Sequence, residues 1–71
     1  MKKMATYEEL RESMIDAEDN GRSGRYSDQC DQYVLYYWLV DDRVITYTTE
    51  DEDFDAWMLT EDMMDELVIK E

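Results

Sequence analysis

Asp51, Asp53 and Asp55 set three carboxylates on alternate positions, and Asp62 stands at the twelfth place of the same run. Oxygen ligands at the first, third, fifth and twelfth positions are the spacing of a calcium-binding loop. The sixth position breaks the pattern, because Ala56 stands where such a loop needs glycine for its sharp turn. Asp62 would also have to grip an ion with both oxygens from a side chain one methylene shorter than glutamate. Phe54 sits awkwardly in the middle of the run.

The run therefore resembles an EF-hand loop only in its carboxylates, and alternating acids arise readily by chance in so acidic a chain. The expectation is nonspecific cation binding and no dedicated metal site. Other chemistry is struck out by residue type. The sequence holds no His, so the common base for a Ser or Cys nucleophile and the imidazole metal ligand are both missing. Cys30 is the single cysteine, which excludes a thiolate zinc site and an internal disulfide. Gly21 and Gly24 have neither the spacing nor the lysine of a phosphate-binding loop. Paired carboxylates can act as acid and base on sugars, but 71 residues leave little room for a substrate cleft. No catalytic residue and no cofactor are expected, and the chain reads as a non-enzyme.

What remains is charge. Twenty Asp and Glu face seven Lys and Arg, for a net charge of −13. Such a field repels nucleic acid and anionic lipid and attracts basic surfaces of other proteins. Solubility alone asks for a net charge of only about 2–8 in a small domain. Two Trp, six Tyr, one Phe and six Met are too much apolar side chain for a disordered acidic tail. The sequence thus predicts one folded domain over residues 1–71, close to the lower size limit for a single core. A lone cysteine suits a reducing, cytoplasmic setting. Lys2 and Lys3 look like the start of a secretory signal, but charges interrupt residues 4–19, and the apolar run Tyr33–Val40 is too short to cross a bilayer. No membrane is expected among the partners.

The elements that must position these acids can be read in order. Residues 1–5 read as a loose end. Thr6 and Glu9 form a capping box, and Tyr7, Leu10, Met14 and Ala17 follow as a helical stripe with Ile15 at its border. Glu8, Glu9, Glu12, Asp16 and Asp19 fall on the opposite face, and the helix should stop near Asn20 or Gly21. Residues 20–27, with both glycines and two arginines, read as a flexible loop whose arginines relieve nearby carboxylates. Residues 28–40 fit either a helical stripe (Cys30, Tyr33, Val34, Tyr37, Trp38) or a strand. Their aromatic and β-branched content favours a hairpin turning at Asp41-Asp42 into Val44–Thr49. Phe54–Leu59 reads as a third strand, and Glu61–Val68 as a short helix capped by Thr60. A single helix over residues 50–68 is the rival, but it would leave a bare hairpin.

The fold class expected is α+β in the order α-β-β-β-α, a three-stranded antiparallel sheet with two helices on one face. A two-residue turn at 41–42 sets Val40 opposite Arg43, Trp38 opposite Ile45 and Tyr36 opposite Tyr47. A four-residue turn at 50–53 would set Thr49 opposite Phe54, Tyr47 opposite Ala56 and Ile45 opposite Met58. The core side is then Val34, Tyr36, Trp38, Ile45, Tyr47, Phe54, Ala56 and Met58. The second face carries Leu35, Tyr37, Leu39, Val44, Thr46, Thr48, Asp55, Trp57 and Leu59, a mixture of apolar and polar. Its part Leu35, Tyr37, Leu39 and Trp57 is expected either to be an exposed apolar interface or to be covered by a terminus or the glycine loop.

Like charges four apart, Glu8 with Glu12 and Glu12 with Asp16, each cost a helix about 0.2–0.5 kcal/mol, so their retention asks for a reason. Carboxylates three or four residues apart on a helix lie about 5–6 Å from one another. That is comparable to neighbouring phosphates on a strand. The leading expectation is a small inhibitor that occupies a basic, nucleic-acid-binding surface of another protein. It would present Glu8, Glu12 and Asp16, the turn acids Glu50, Asp51, Glu52, Asp53 and Asp55, and the face Glu61, Asp62, Asp65 and Glu66. In size, charge and aromatic content, though by no sequence motif, the chain resembles small accessory proteins of phages and mobile elements. Among these are acidic nucleic-acid mimics that inhibit restriction or CRISPR machinery. The rival is an interaction module, or a homodimer, that binds through the apolar second face and uses its acidity only for solubility.

Overall fold

In the computed structural model, residues 6–27 and 32–70 are described, so the expectations for residues 1–5 and Cys30 lie outside the described residues. The architecture is α+β: helix α1 (Tyr7–Asp19), then strands β1 (Ser23–Ser27), β2 (Val34–Val40) and β3 (Arg43–Thr49). Two 3-10 segments follow, Ala56–Met58 and Glu61–Glu66, and strand β4 (Val68–Lys70) comes last. The four strands form one antiparallel sheet in the order β1-β2-β3-β4.

Helix α1 begins at the capping box the sequence predicts. The Glu9 amide donates to Thr6 Oγ1 at 3.2 Å, and the Thr6 amide donates to Glu9 Oε1 at 3.3 Å. Its end is a Schellman motif. Gly21 takes φ +72°, the Arg22 amide donates to the Ala17 carbonyl at 2.7 Å, and the Gly21 amide donates to the Glu18 carbonyl at 3.3 Å. Leu10, Met14 and Ala17 are buried against the sheet, and Tyr7 and Ile15 pack at the margin.

The β2–β3 hairpin has the expected register: Val40 opposite Arg43, Trp38 opposite Ile45, Tyr36 opposite Tyr47. Asp41 carries the turn at φ 56°, in the left-handed region that short polar side chains tolerate. Val34, Tyr36, Trp38, Ile45 and Tyr47 point to one side and are buried.

Three expectations are corrected. Residues 23–27 are the edge strand β1, paired to β2 with Gly24 opposite Tyr37, and not part of a loop. Glycine leaves room for the Tyr37 ring to lie across β1: a Cβ at residue 24 would lie 2.5 Å from the Tyr37 hydroxyl oxygen, so that ring would have to shift.

Phe54–Leu59 is not a third strand. The Tyr36 hydroxyl donates to the Asp51 carbonyl at 2.7 Å and accepts from the Phe54 amide at 3.1 Å, which draws the 50–55 segment across the core side of the sheet. Asp55 Oδ1 then accepts from the Trp57 amide at 3.0 Å and caps a 3-10 turn. Ala56 and Leu59 are buried while Trp57 and Met58 are exposed, a spacing of three in place of alternation, so Met58 and Leu59 exchange their expected sides.

The expected helix Glu61–Val68 is a six-residue 3-10 helix, Glu61–Glu66, that stops short of Val68. Glu61 with Asp65 and Asp62 with Glu66 repel at four-residue spacing, and the last pair opposes the helix dipole. The β-branched Val68 and Ile69 extend instead and pair along β3, with Ile69 opposite Ile45. Met63, Met64 and Leu67 pack against the core.

Candidate binding face

No Asp or Glu stands in any of the four strands. Six acids are on α1, five in the 50–55 segment, four on the 61–66 helix and two in the β2–β3 turn, while Asp28, Asp31 and Glu71 lie outside the described residues. The first three groups belong to elements whose apolar residues pack on the same side of the sheet. The molecule is therefore two-sided: an acidic layer of helices and turns covers one face of a sheet whose strands bring no negative charge.

All the acids named for partner binding are exposed: Glu8, Glu12, Asp16, Glu50, Asp51, Glu52, Asp53, Asp55, Glu61, Asp62, Asp65 and Glu66. Among the described residues, Arg11, Arg22 and Arg25 neutralise few of these carboxylates. Arg22 Nη2 pairs with Asp16 Oδ2 at 3.3 Å in an exposed contact of the kind that contributes about 0–1 kcal/mol. Arg11 and Arg25 instead donate to backbone carbonyls, of Trp57 at 3.5 Å and of Glu52. Two of the run Asp51, Asp53, Asp55 have oxygens engaged locally. Asp51 Oδ1 accepts from the Asp53 amide at 2.9 Å, and Asp55 caps the following turn. Among the described residues no group of three potential ligands is gathered as a metal site would require.

Two grooves flank the exposed ridge of α1, and both include Glu12 and Asp16. One, of about 470 Å³, lies between α1 and the β2–β3 turn and adds Glu9, Arg22 and Asp41. The other, of about 390 Å³, lies between α1 and Trp57 and adds Arg11, Ile15 and Asp19.

Trp57 departs from its expected place. With 54–59 no longer a strand, it leaves the company of Leu35, Tyr37 and Leu39 and stands on the acidic side, 66% exposed, with the Arg11 guanidinium 4.7 Å from the ring centroid. Leu35, Tyr37 and Leu39 do share the sheet's outer face. Alternation of side chains along the paired strands adds Tyr26, Val44 and Val68 to them. Tyr26, at 71%, is the most exposed of these, and its ring lies 6.0 Å from that of Tyr37.

The sequence pattern missed Glu18. It turns inward from α1, where its Oε2 accepts from the Trp38 indole at 2.8 Å and from the Ala56 amide at 3.0 Å. At the other end of the helix the Tyr7 hydroxyl donates to the Leu59 carbonyl at 2.5 Å. Two side chains of α1 thus clamp residues 56–59 alongside it and hold Trp57 against its outer surface. Glu18, Arg25, Tyr36, Trp38 and Phe54 also line a small cavity of about 180 Å³ beside β1. Among the described residues, no helix is long and apolar enough to cross a membrane.

No family model, no curated protein and no solved structure matches this chain.

Proposed function

We propose that this protein binds a basic, nucleic-acid-binding surface of another protein through its acidic layer and so keeps nucleic acid off that surface. The observation that carries this reading is the segregation: acids crowd the layer that covers one side of the sheet, the strands hold none, and the arginines there leave most carboxylates unpaired. Along α1, Glu8, Glu12 and Asp16 rise about 6 Å per step, a repeat that suits sites built for successive phosphates. Density of one sign also steers encounter with a cationic partner and raises the rate of association. Interference with nucleic-acid enzymes such as restriction or CRISPR effectors, in the cytoplasm of the cell, is the role this chemistry fits. The partner is a protein, with no direct contact to nucleic acid and no membrane involved.

The test is capture from nuclease-treated lysate at low and high salt, followed by competition on the purified captured protein. Binding should weaken steeply with salt, and nucleic acid should displace the chain. Reversing the charges at Glu50, Asp51, Glu52, Asp53 and Asp55 with the fold intact should lower that competition. Competition that survives the reversal rules the reading out.

A second reading rests on the outer face of the sheet, whose strands contain no acid and where Tyr26, Leu39, Val44 and Val68 are exposed. Among the described residues the strands that form this face bring no carboxylates against a second copy of this chain. Sedimentation equilibrium separates the readings, since a dimer that Tyr37→Ser disperses would favour this face.

A further inference from the structure

We infer that the groove between α1 and Trp57 receives an arginine side chain of the partner, so that Trp57 and not charge alone determines affinity at the acidic layer. This rests on the proposed acidic-layer reading and gives it a specific contact. Tryptophan is enriched among interface anchors relative to the rest of a protein surface, and an exposed one beside unpaired carboxylates suits a cationic, planar partner group. Its position is fixed from three directions. The Asp55 carboxylate caps its amide, Glu18 holds the neighbouring Ala56 amide, and Arg11 stacks on the ring.

Arg11 already shows that the indole takes a guanidinium, and its Nε is buried there without a hydrogen-bond partner. With Arg11 beside it, Trp57 still keeps 66% of its surface exposed to a partner. The groove supplies what such a cation needs. Ile15 and the indole line it for the aliphatic stem, and Glu12 and Asp19 have no hydrogen bond or ion pair within the described structure. Asp16 is held only by the exposed pair with Arg22 and by Asn20. Arginine fits better than lysine, because a planar guanidinium can stack on the ring and bridge a carboxylate with two parallel hydrogen bonds.

The test uses an acetylated Arg-Gly-Ser repeat peptide and its Lys-Gly-Ser counterpart, titrated calorimetrically into the full chain over a range of salt. The arginine peptide should bind more tightly than the lysine peptide. Trp57→Ala should weaken the arginine peptide about tenfold and reduce the preference over lysine, while the dependence on salt stays as steep as before. Glu12→Gln with Asp19→Asn should instead flatten the salt dependence. Unchanged arginine binding in Trp57→Ala, alongside a loss in the carboxylate variant, overturns the inference and leaves the acidic-layer reading standing. Binding that neither variant alters, or no binding of either peptide, counts against both. Far-ultraviolet circular dichroism checks the fold of each variant. Trp57→Phe, which keeps an aromatic face, should restore part of the preference.

Discussion

Replacing Glu18 by alanine should remove a large part of the stability of this domain. Its Oε2 is the acceptor for two donors from different elements, the Trp38 indole at 2.8 Å and the Ala56 amide at 3.0 Å, and Trp38 is 1% exposed. A hydrogen bond to a charged group contributes about 1.5–3 kcal/mol, and the buried indole N–H would be left without any partner. Taking the lower figure for each because Glu18 is only partly buried, the loss is about 3 kcal/mol. Stability of about 0.05–0.15 kcal/mol per residue gives this chain roughly 4–11 kcal/mol in all. Glu18→Gln keeps an oxygen acceptor and loses mainly the charge assistance, roughly half of the bond strength, so about 1.5 kcal/mol. Urea is the right denaturant, because guanidinium salt would screen the −13 charge. In a Trp57→Phe background, Trp38 reports alone. With a slope of about 1 kcal/mol per molar, the midpoint should fall by about 3 M for alanine and about 1.5 M for glutamine. A shift below about 0.5 M for alanine, or glutamine as harmful as alanine, would refute the reasoning; glutamine remains readable even if the alanine variant does not fold.

Other outcomes follow from the same geometry. Glu12→Lys turns two repulsive four-residue spacings, to Glu8 and to Asp16, into attractive ones, so thermal denaturation should show a gain of about 0.8–2 kcal/mol while binding to a basic target weakens. Added sodium chloride should stabilise the free chain by about 1 kcal/mol in urea melts, because it screens the like-charge pairs on α1 and the 61–66 helix, even as it weakens partner binding. Gly24→Val should cost about 1–3 kcal/mol in the same melts, since its Cβ meets the Tyr37 ring, and Tyr37→Ala in the same chain should recover part of that loss.

The legible parts of the fold were those written in local patterns. The capping box at Thr6, the stripe Leu10, Met14, Ala17 and the stop at Gly21 specify α1 within one stretch of chain. Alternation around Asp41-Asp42 fixes the hairpin register, because a slip by one residue would send Trp38 and Ile45 to solvent. β1 was hidden because Ser-Gly-Arg-Tyr-Ser has little strand propensity, and its pairing is earned only by a neighbour that offers Tyr37 to cover Gly24. The segment 54–59 misled because Phe54 and Ala56 are two apart like strand residues, while burial continues at Leu59, three further on. A strand over 54–59 would put Trp57 on the outer face of the sheet, whereas the 3-10 turn puts it beside Arg11 of α1. Glu18 could not be told from its exposed neighbours, since its inward turn depends on an indole twenty residues away and on the amide of a turn the sequence did not reveal. The acidic residues were found as a set, but their confinement to one side of the sheet emerges only from the packing.

The most direct measurement compares the two sides of the molecule in one assay, displacement of nucleic acid from the captured basic protein. Neutralising the acidic layer with Glu8→Gln, Glu12→Gln and Asp16→Asn should reduce displacement, and making the sheet face polar with Tyr26→Ser, Leu39→Ser and Val68→Ser should leave it unchanged. Full displacement by the first variant together with its loss in the second would contradict the account.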